Sequence, residues 1–479
     1  MLASATSRLT RADLRILLPA WGLMLLWNAL SWHAPFFWDN ILNSRIAQWY
    51  LETGFSELFV PERMDAGHPP FFSLYLAGAW AVFGKSLMVA HLAMLPFLLG
   101  AQTLYFRLAK RFLPTDALPW AMAVFFVEPA LLAQGAQVTP DYALLCFFLL
   151  GLLGIVEGRR HVLLLAMLGL GMASFRGVLM CSSLGLADLA WAWLSGARRP
   201  NLKRLWPYVG MALATVLWLL AHREAVGWML SPPESTYGGH RKFAGLGGLV
   251  HNAGILVWRL IDHGRVLLWL ALMVLAWRLW RGGRWTREFS AVLGFALAPV
   301  LSIGLLFVLF TNPIGHRYFI SVYALLGLAL VWALWQWEQV RLRKVVAVVV
   351  GLSLVSGHAW VYPDHIAKGW DATLAHLPYH GLRKEAVIWL AENGIARHDV
   401  CTDFPAISAE ASLDPAAVDT ATFRSKEAGL AGCRYVLYTN VSNGFSDEEL
   451  AAFKAGQDWR VLWQGGGWPV RVVILARQP

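Results

Sequence analysis

The sequence predicts a polytopic α-helical membrane protein with about eleven transmembrane helices, followed by a small C-terminal α/β domain. Three observations predict it: an apolar composition, a regular spacing of basic clusters, and a change of character near residue 362. Of 479 residues, 57% are hydrophobic and only 15% charged, where a soluble domain carries about 25% charged residues. That excludes an ordinary cytosolic domain and a disordered chain.

The basic clusters orient the helices, because Lys and Arg collect in short cytoplasmic loops. They occur at Arg8/Arg11/Arg15, Arg107/Lys110/Arg111, Arg159/Arg160, Arg198/Arg199/Lys203/Arg204, Arg278/Arg281/Arg284/Arg287 and Arg341/Arg343/Lys344 and hold 19 of the 40 basic residues. With all six in the cytoplasm, consistent spans fall near 14–33, 86–106, 116–133, 142–157, 162–175, 177–194, 206–224, 265–281, 290–310, 318–337 and 345–361. The N-terminus is then cytoplasmic, and the first span is a retained anchor. Counting Pro69 to Phe83 as a crossing would put Arg107, Lys110 and Arg111 on the wrong face, so it reads as an interfacial helix. The net charge of +10 is therefore a topology signal, and no nucleic-acid partner is implied.

Residues 1–361 form the membrane domain and 362–479 an extracytoplasmic domain. In the latter, Leu382 to Asn393 reads as a helix closed by Gly394, and Ser446 caps a second, short one. Strand-like runs occur at Asp399–Asp403, Arg434–Thr439, Arg460–Trp463 and Val470–Ala476. Cys401 and Cys433 are read either as a disulfide or as buried thiols.

On this topology the conspicuous polar residues of the membrane domain share the outer side. They are Asp39 against the end of the first span, Glu128-Pro129, Thr139-Pro140-Asp141, Arg176, the Gly-rich loop Ser231 to Gly248 with Arg241 and Lys242, and His316-Arg317-Tyr318. Taken singly, each is an ordinary wet loop residue. Asp141 suits a helix N-terminus, either as a functional carboxylate or as a local capping group beside Thr139. Arg176 between two apolar segments calls for an anion or for the interface. A cation at a helix start, as in His316-Arg317, has the wrong sign for the dipole and calls for another anion, a lipid headgroup included.

Several of these pieces resemble the GT-C superfamily of membrane glycosyltransferases, in particular the group containing the protein O-mannosyltransferases and the lipid A aminoarabinose transferase. The residues that carry the resemblance are Trp38-Asp39-Asn40 after the first span, Gly67-His68-Pro69-Pro70 leading an apolar helix that ends in Phe83-Gly84, Pro140-Asp141, and His316-Arg317-Tyr318. The chain departs from relatives at Asn40, where some have Glu, at His68, where the aminoarabinose transferases have Lys, and at Ser321-Val322, where a proline is usual.

The resemblance implies a polyprenyl-phosphate-linked sugar as donor, an extracytoplasmic acceptor and a bacterial inner-membrane setting. On that basis Asp39, the family-matched carboxylate, is read as the base, with Arg317, His316, Arg176 and either His68 or Lys242 toward the donor phosphate and Tyr318 in support. Asp141, with Glu128 behind it, would orient Asp39, bind sugar hydroxyls or help to hold a divalent metal. The main rival from the residues alone is a transporter or flippase with Asp188 on a central pathway.

Overall fold

The computed structural model describes residues 9–196, 204–232, 239, 242–364, 366, 369–442, 444–456 and 458–478. Arg8, Arg198, Arg199, Lys203 and Arg241 lie outside the described residues. Among the described residues six helices are long and apolar enough to cross a membrane: Arg11–Ser31, Leu87–Phe112, Phe175–Leu194, Trp206–Val226, Arg287–Leu309 and His316–Trp335. Counting two bent pairs as one span each raises this to eight, against the eleven expected. The difference lies in Pro140–Val156, Arg160–Ala173 and Val340–Ser356, of 17, 14 and 17 residues. At about 1.5 Å per residue each is shorter than the roughly 30 Å hydrocarbon core. Pro69 to Phe83 is the helix Phe71–Phe83, of 13 residues, also too short to cross.

Local chemistry sets the helix ends. Thr10 and Asp13 form a capping box, and Ser86, Thr139, Ser174 and Thr286 each accept from the backbone N–H of the helix they open. The first bent pair, Thr115–Val127 with Pro129–Gly135, turns by 68°. Its cause is Pro129, which keeps Glu128 extended at φ −66°, ψ 122°. The second, Gly245–Ile261 with Arg265–Arg281, turns by 86°, through His263 and Gly264 at φ 51° and 82°. Its first half starts inside the expected Ser231 to Gly248 loop, and glycines with His251, Asn252 and Arg259 interrupt the apolar run that would mark it in the sequence.

The two breaks meet. Glu128 Oε2 accepts from Leu131 N at 2.7 Å, while Oε1 accepts from Arg265 Nε at 2.7 Å and from Arg265 Nη2. The Arg265 guanidinium lies 3.7 Å from the Tyr323 ring centroid. Tyr323 belongs to Ile320–Trp335, a helix buried along its length at the centre of the membrane part.

After residue 399 come β1 (Val400–Thr402), β2 (Arg424–Ser425), β3 (Tyr435–Thr439), β4 (Trp459–Gly466) and β5 (Arg471–Arg477). They make one sheet in the order β2-β1-β3-β5-β4, parallel on the β2-β1-β3 side and antiparallel through β5 and β4. The four strand-like runs of the sequence become β1, β3, β4 and β5, whereas β2, two residues long, shows no sequence signal. The helix Pro378–Glu392 packs Tyr379, Ala386 and Leu390 against Leu437, Val472 and Ile474 of the sheet, and Phe37 of the first loop enters the same core.

Cys401 and Cys433 are disulfide-bonded across a sequence separation of 32. Reduction and alkylation should label two more cysteines than alkylation alone. A link closing a loop of that length contributes about 3–4 kcal/mol, so reduction should lower the denaturant midpoint of the C-terminal part. An unchanged midpoint would count against that contribution.

Candidate active site

A cavity of about 1770 Å³ opens between the first loop, the starts of several membrane helices and the C-terminal part. Asp39 lies at its wall because its neighbours are held by residues far along the chain, between His376 and Leu413. Phe37 stacks on His376 with centroids 4.4 Å apart, Trp38 meets Phe404 edge-on at 5.5 Å, and Phe36 N donates to Leu413 O at 2.8 Å. Trp38 itself has φ 56°, a conformation costly for a bulky residue, kept here by those contacts. Asp39 precedes Asn40–Glu52 without capping it by its side chain, and its carboxylate is 56% exposed.

Arg317 is the hub. Its Nη2 donates to Asp39 Oδ2, and its Nε lies 3.2 Å from Asp371 Oδ2. Asp371, in the turn Trp370–Ala372, is buried. Burial pushes its carboxyl above the usual carboxylate range; Arg317 pulls it back down, and the charges of Asp39 and Asp141 add to the rise. The Asp371 backbone carbonyl accepts from Gln134 Nε2 at 2.6 Å and Gln137 Nε2 at 3.3 Å, and Gln137 Oε1 accepts from Asn40 Nδ2 at 3.3 Å. The half-helix Pro129–Gly135, through Gln134, and the turn after it, through Gln137, thus tie the Asp39 loop to the C-terminal part. Nearby, burial holds His376 down to about 4, so it stacks on Phe37 as a neutral ring.

The second ion pair is Arg176 with Asp141, at 2.5 Å. Thr139 Oγ1 donates to Asp141 Oδ2 at 2.7 Å and accepts from Asp141 N at 3.2 Å, so Asp141 is both a local first-turn carboxylate and the counterion of Arg176. Tyr318 lies beside both guanidiniums, 4.5 Å from that of Arg176 and 5.4 Å from that of Arg317. Next to this polar end the wall is apolar: Phe175, Val178, Leu179, Ile255, Leu306 and Phe307.

Asp39, Arg176, Arg317, Tyr318 and His68 line the cavity, His68 exposed and edge-on to Phe175 at 5.8 Å. Three expected residues take other roles. Although His316 borders the cavity, it is buried and its Nε2 faces Asp262 Oδ2 at 2.9 Å, leaving it unsuited to the expected phosphate role. Lys242 is exposed beside the Phe243–Phe310 bridge and does not line the cavity. Glu128 is sequestered by Arg265 and the Leu131 amide. Asp188, the residue of the transport reading, pairs with Arg160 at 2.5 Å and Arg204 at 3.3 Å, accepts from Tyr208 at 3.1 Å and does not line this cavity.

As for a metal, Asp39, Asp141 and Glu128 each face a different arginine. Among the described residues, the three ligand-type side chains that do converge are Asp262, His263 and His316. Asp371 was missed because an isolated Asp in a Gly369-Trp370-Asp371 turn carries no local signal. Asp262 and Arg265 were detectable as charges interrupting an apolar stretch.

No protein-family model matches the chain, and no curated protein matches it in sequence. The crystal structure of ArnT from Cupriavidus metallidurans in the apo state is similar over 96% of this chain and 97% of that one, with a TM-score of 0.50 and 14% identity. The chain therefore shares the overall fold of that protein.

Proposed function

We propose that the protein is a membrane glycosyltransferase that moves a sugar from a polyprenyl-phosphate donor to an acceptor outside the cytoplasm of a bacterial cell. One observation carries the reading: a half-exposed carboxylate, Asp39, shares a large cavity with two arginines, Arg317 and Arg176, next to an apolar wall. Guanidiniums suit a phosphate, the wall suits a prenyl chain, and the carboxylate suits a hydroxyl proton. The ArnT-like fold supports it.

In this mechanism the acceptor oxygen attacks the anomeric carbon while Asp39 takes its proton. The bond from that carbon to the phosphate oxygen breaks, the phosphate stays on the lipid, and the anomeric centre inverts. Arg317 and Arg176 stabilise the negative charge that gathers on the departing phosphate. Arg317 now neutralises Asp39; donor phosphate draws it away, and Asp371 keeps it within reach. Asp141 holds Arg176, and Tyr318 flanks both cations.

The test is glycolipid and glycan profiling of a strain lacking the gene, complemented with the wild-type chain or with Asp39→Asn. The expected result is one envelope glycoconjugate lacking a sugar, restored only by wild type. An unchanged profile with accumulation or loss of an intact solute would instead support transport.

A further inference from the structure

Asp262, His263 and His316 form a cluster that the proposed transfer does not use. It lies at the 86° break, where the two half-helices Gly245–Ile261 and Arg265–Arg281 meet the start of the buried helix. One ligand atom from each residue lies within 4.8 Å of the others, and all three side chains are buried. The geometry points to a structural binding site for one divalent transition-metal ion, of the zinc class, held by these three side chains.

Hydrogen bonding accounts for only part of the cluster. Asp262 Oδ1 accepts from the Tyr362 hydroxyl and from His263 N at 2.7 Å, while Oδ2 accepts from Trp258 Nε1 at 2.9 Å and faces His316 Nε2 at 2.9 Å. Neither ring nitrogen of His263 has a hydrogen-bond partner although its side chain is 3% exposed, Nε2 lying 3.6 Å from Asp262 Oδ2, and His316 Nδ1 also lacks one. Buried polar atoms ordinarily find partners, so an imidazole with two bare nitrogens needs an explanation. His263 is moreover one of three non-glycine residues at positive φ among those described, so the chain holds this ring in place against its backbone preference.

The spacing also accommodates a metal: the contact of Asp262 Oδ2 with His316 Nε2, 2.9 Å, has hydrogen-bond length, whereas that with His263 Nε2, 3.6 Å, is beyond it. Two ligands bound at about 2.0–2.1 Å around a tetrahedral ion lie about 3.3 Å apart. Asp262 Oδ2 is 2.9 Å from His316 Nε2 and 3.6 Å from His263 Nε2, on either side of that value. Two imidazoles and a carboxylate are the donor set for zinc and its neighbours rather than for magnesium or calcium. Tyr362 on Asp262 Oδ1 is the outer contact that orients the carboxylate. A cavity of about 10 Å³ bordered by His263, Tyr362, Gly369 and Trp370 has room for one water-sized fourth ligand. The nearby cations have other partners: Arg265 is held by Glu128, and Arg259 Nε donates to Ile314 O at 3.0 Å.

An ion there would fasten the second break to the His316 turn and to Tyr362, one residue upstream of the cavity's Arg317 and just ahead of the C-terminal part. The inference stands whether or not the chain transfers sugars, and its test does not read transfer. Full-length protein purified in detergent is assayed for metal by elemental analysis, then stripped and titrated with Co²⁺. The expected result is about one zinc per chain, and on cobalt loading the intense visible absorption of a tetrahedral N/O site. His263→Ala should lose both, with metal content falling by roughly tenfold or more. Wild-type protein that takes up neither ion overturns the proposal, as does a His263→Ala protein that keeps the metal. If the variant does not fold, the wild-type cobalt spectrum decides alone: absent or weakly absorbing octahedral cobalt overturns the site.

Discussion

Asp39→Asn is expected to lower sugar transfer by about 10²–10⁴-fold, the range that a positioned general base supplies. The substitution is nearly isosteric, and the Asp39 carboxylate is 56% exposed, so the fold should be undisturbed and the thermal midpoint unchanged. The loss should fall on kcat. Arg317 in the resting protein is shared between Asp39 and Asp371; without the Asp39 charge it is freer to meet a phosphate. The donor KM should therefore stay constant or fall. Steady-state kinetics with a labelled polyprenyl-phosphate sugar separate these outcomes. Full activity would remove Asp39 from the mechanism, and an unchanged kcat with a raised KM would recast it as a binding group.

The largest stability effect is expected at Arg265. Arg265→Met leaves Glu128 as a charge with 2% of its side chain exposed, and breaking a buried pair in this way costs about 3–5 kcal/mol. The double variant Arg265→Met/Glu128→Met removes both charges and should recover most of that loss, because the desolvation of both ions disappears with their attraction. Recovery should stop about 1 kcal/mol short, since Glu128 also caps the half-helix Pro129–Gly135 through Leu131 N. Melting curves of the detergent-solubilised proteins test this. A single variant that melts with the wild type would show that the pair does not hold the two breaks together.

What the sequence disclosed follows from the range of each interaction. Length and composition make the long helices visible, and period-two runs make β1, β3, β4 and β5 visible, since these signals are local. Asp39, Asp141, Arg176 and Arg317 could be grouped before any coordinates because each sits at a span end on one inferred side. Side-chain direction was not legible. His316 and Arg317 are adjacent in sequence, yet one reaches Asp262 and the other Asp39, a difference made by the turn His316–Phe319. Asp371 was invisible because its importance lies in its contact with Arg317 and in a backbone carbonyl held by Gln134 and Gln137, which no pattern around residue 371 encodes. Hydropathy shows apolar runs and not where helices end, so three of the eleven expected spans correspond to helices of 14 to 17 residues, Arg160–Ala173 the shortest.

The link from Asp39 through Arg317 to Asp371 also orders events during biosynthesis. Residue 39 leaves the ribosome early, and its loop cannot take its final shape until Leu413, Phe404 and His376 exist to receive Phe36, Trp38 and Phe37. Contacts spanning so much chain close last, after the local helices have formed. A nascent chain lacking residues 371 to 413 therefore lacks the partners that hold Phe36, Phe37, Trp38 and Arg317 at the cavity wall.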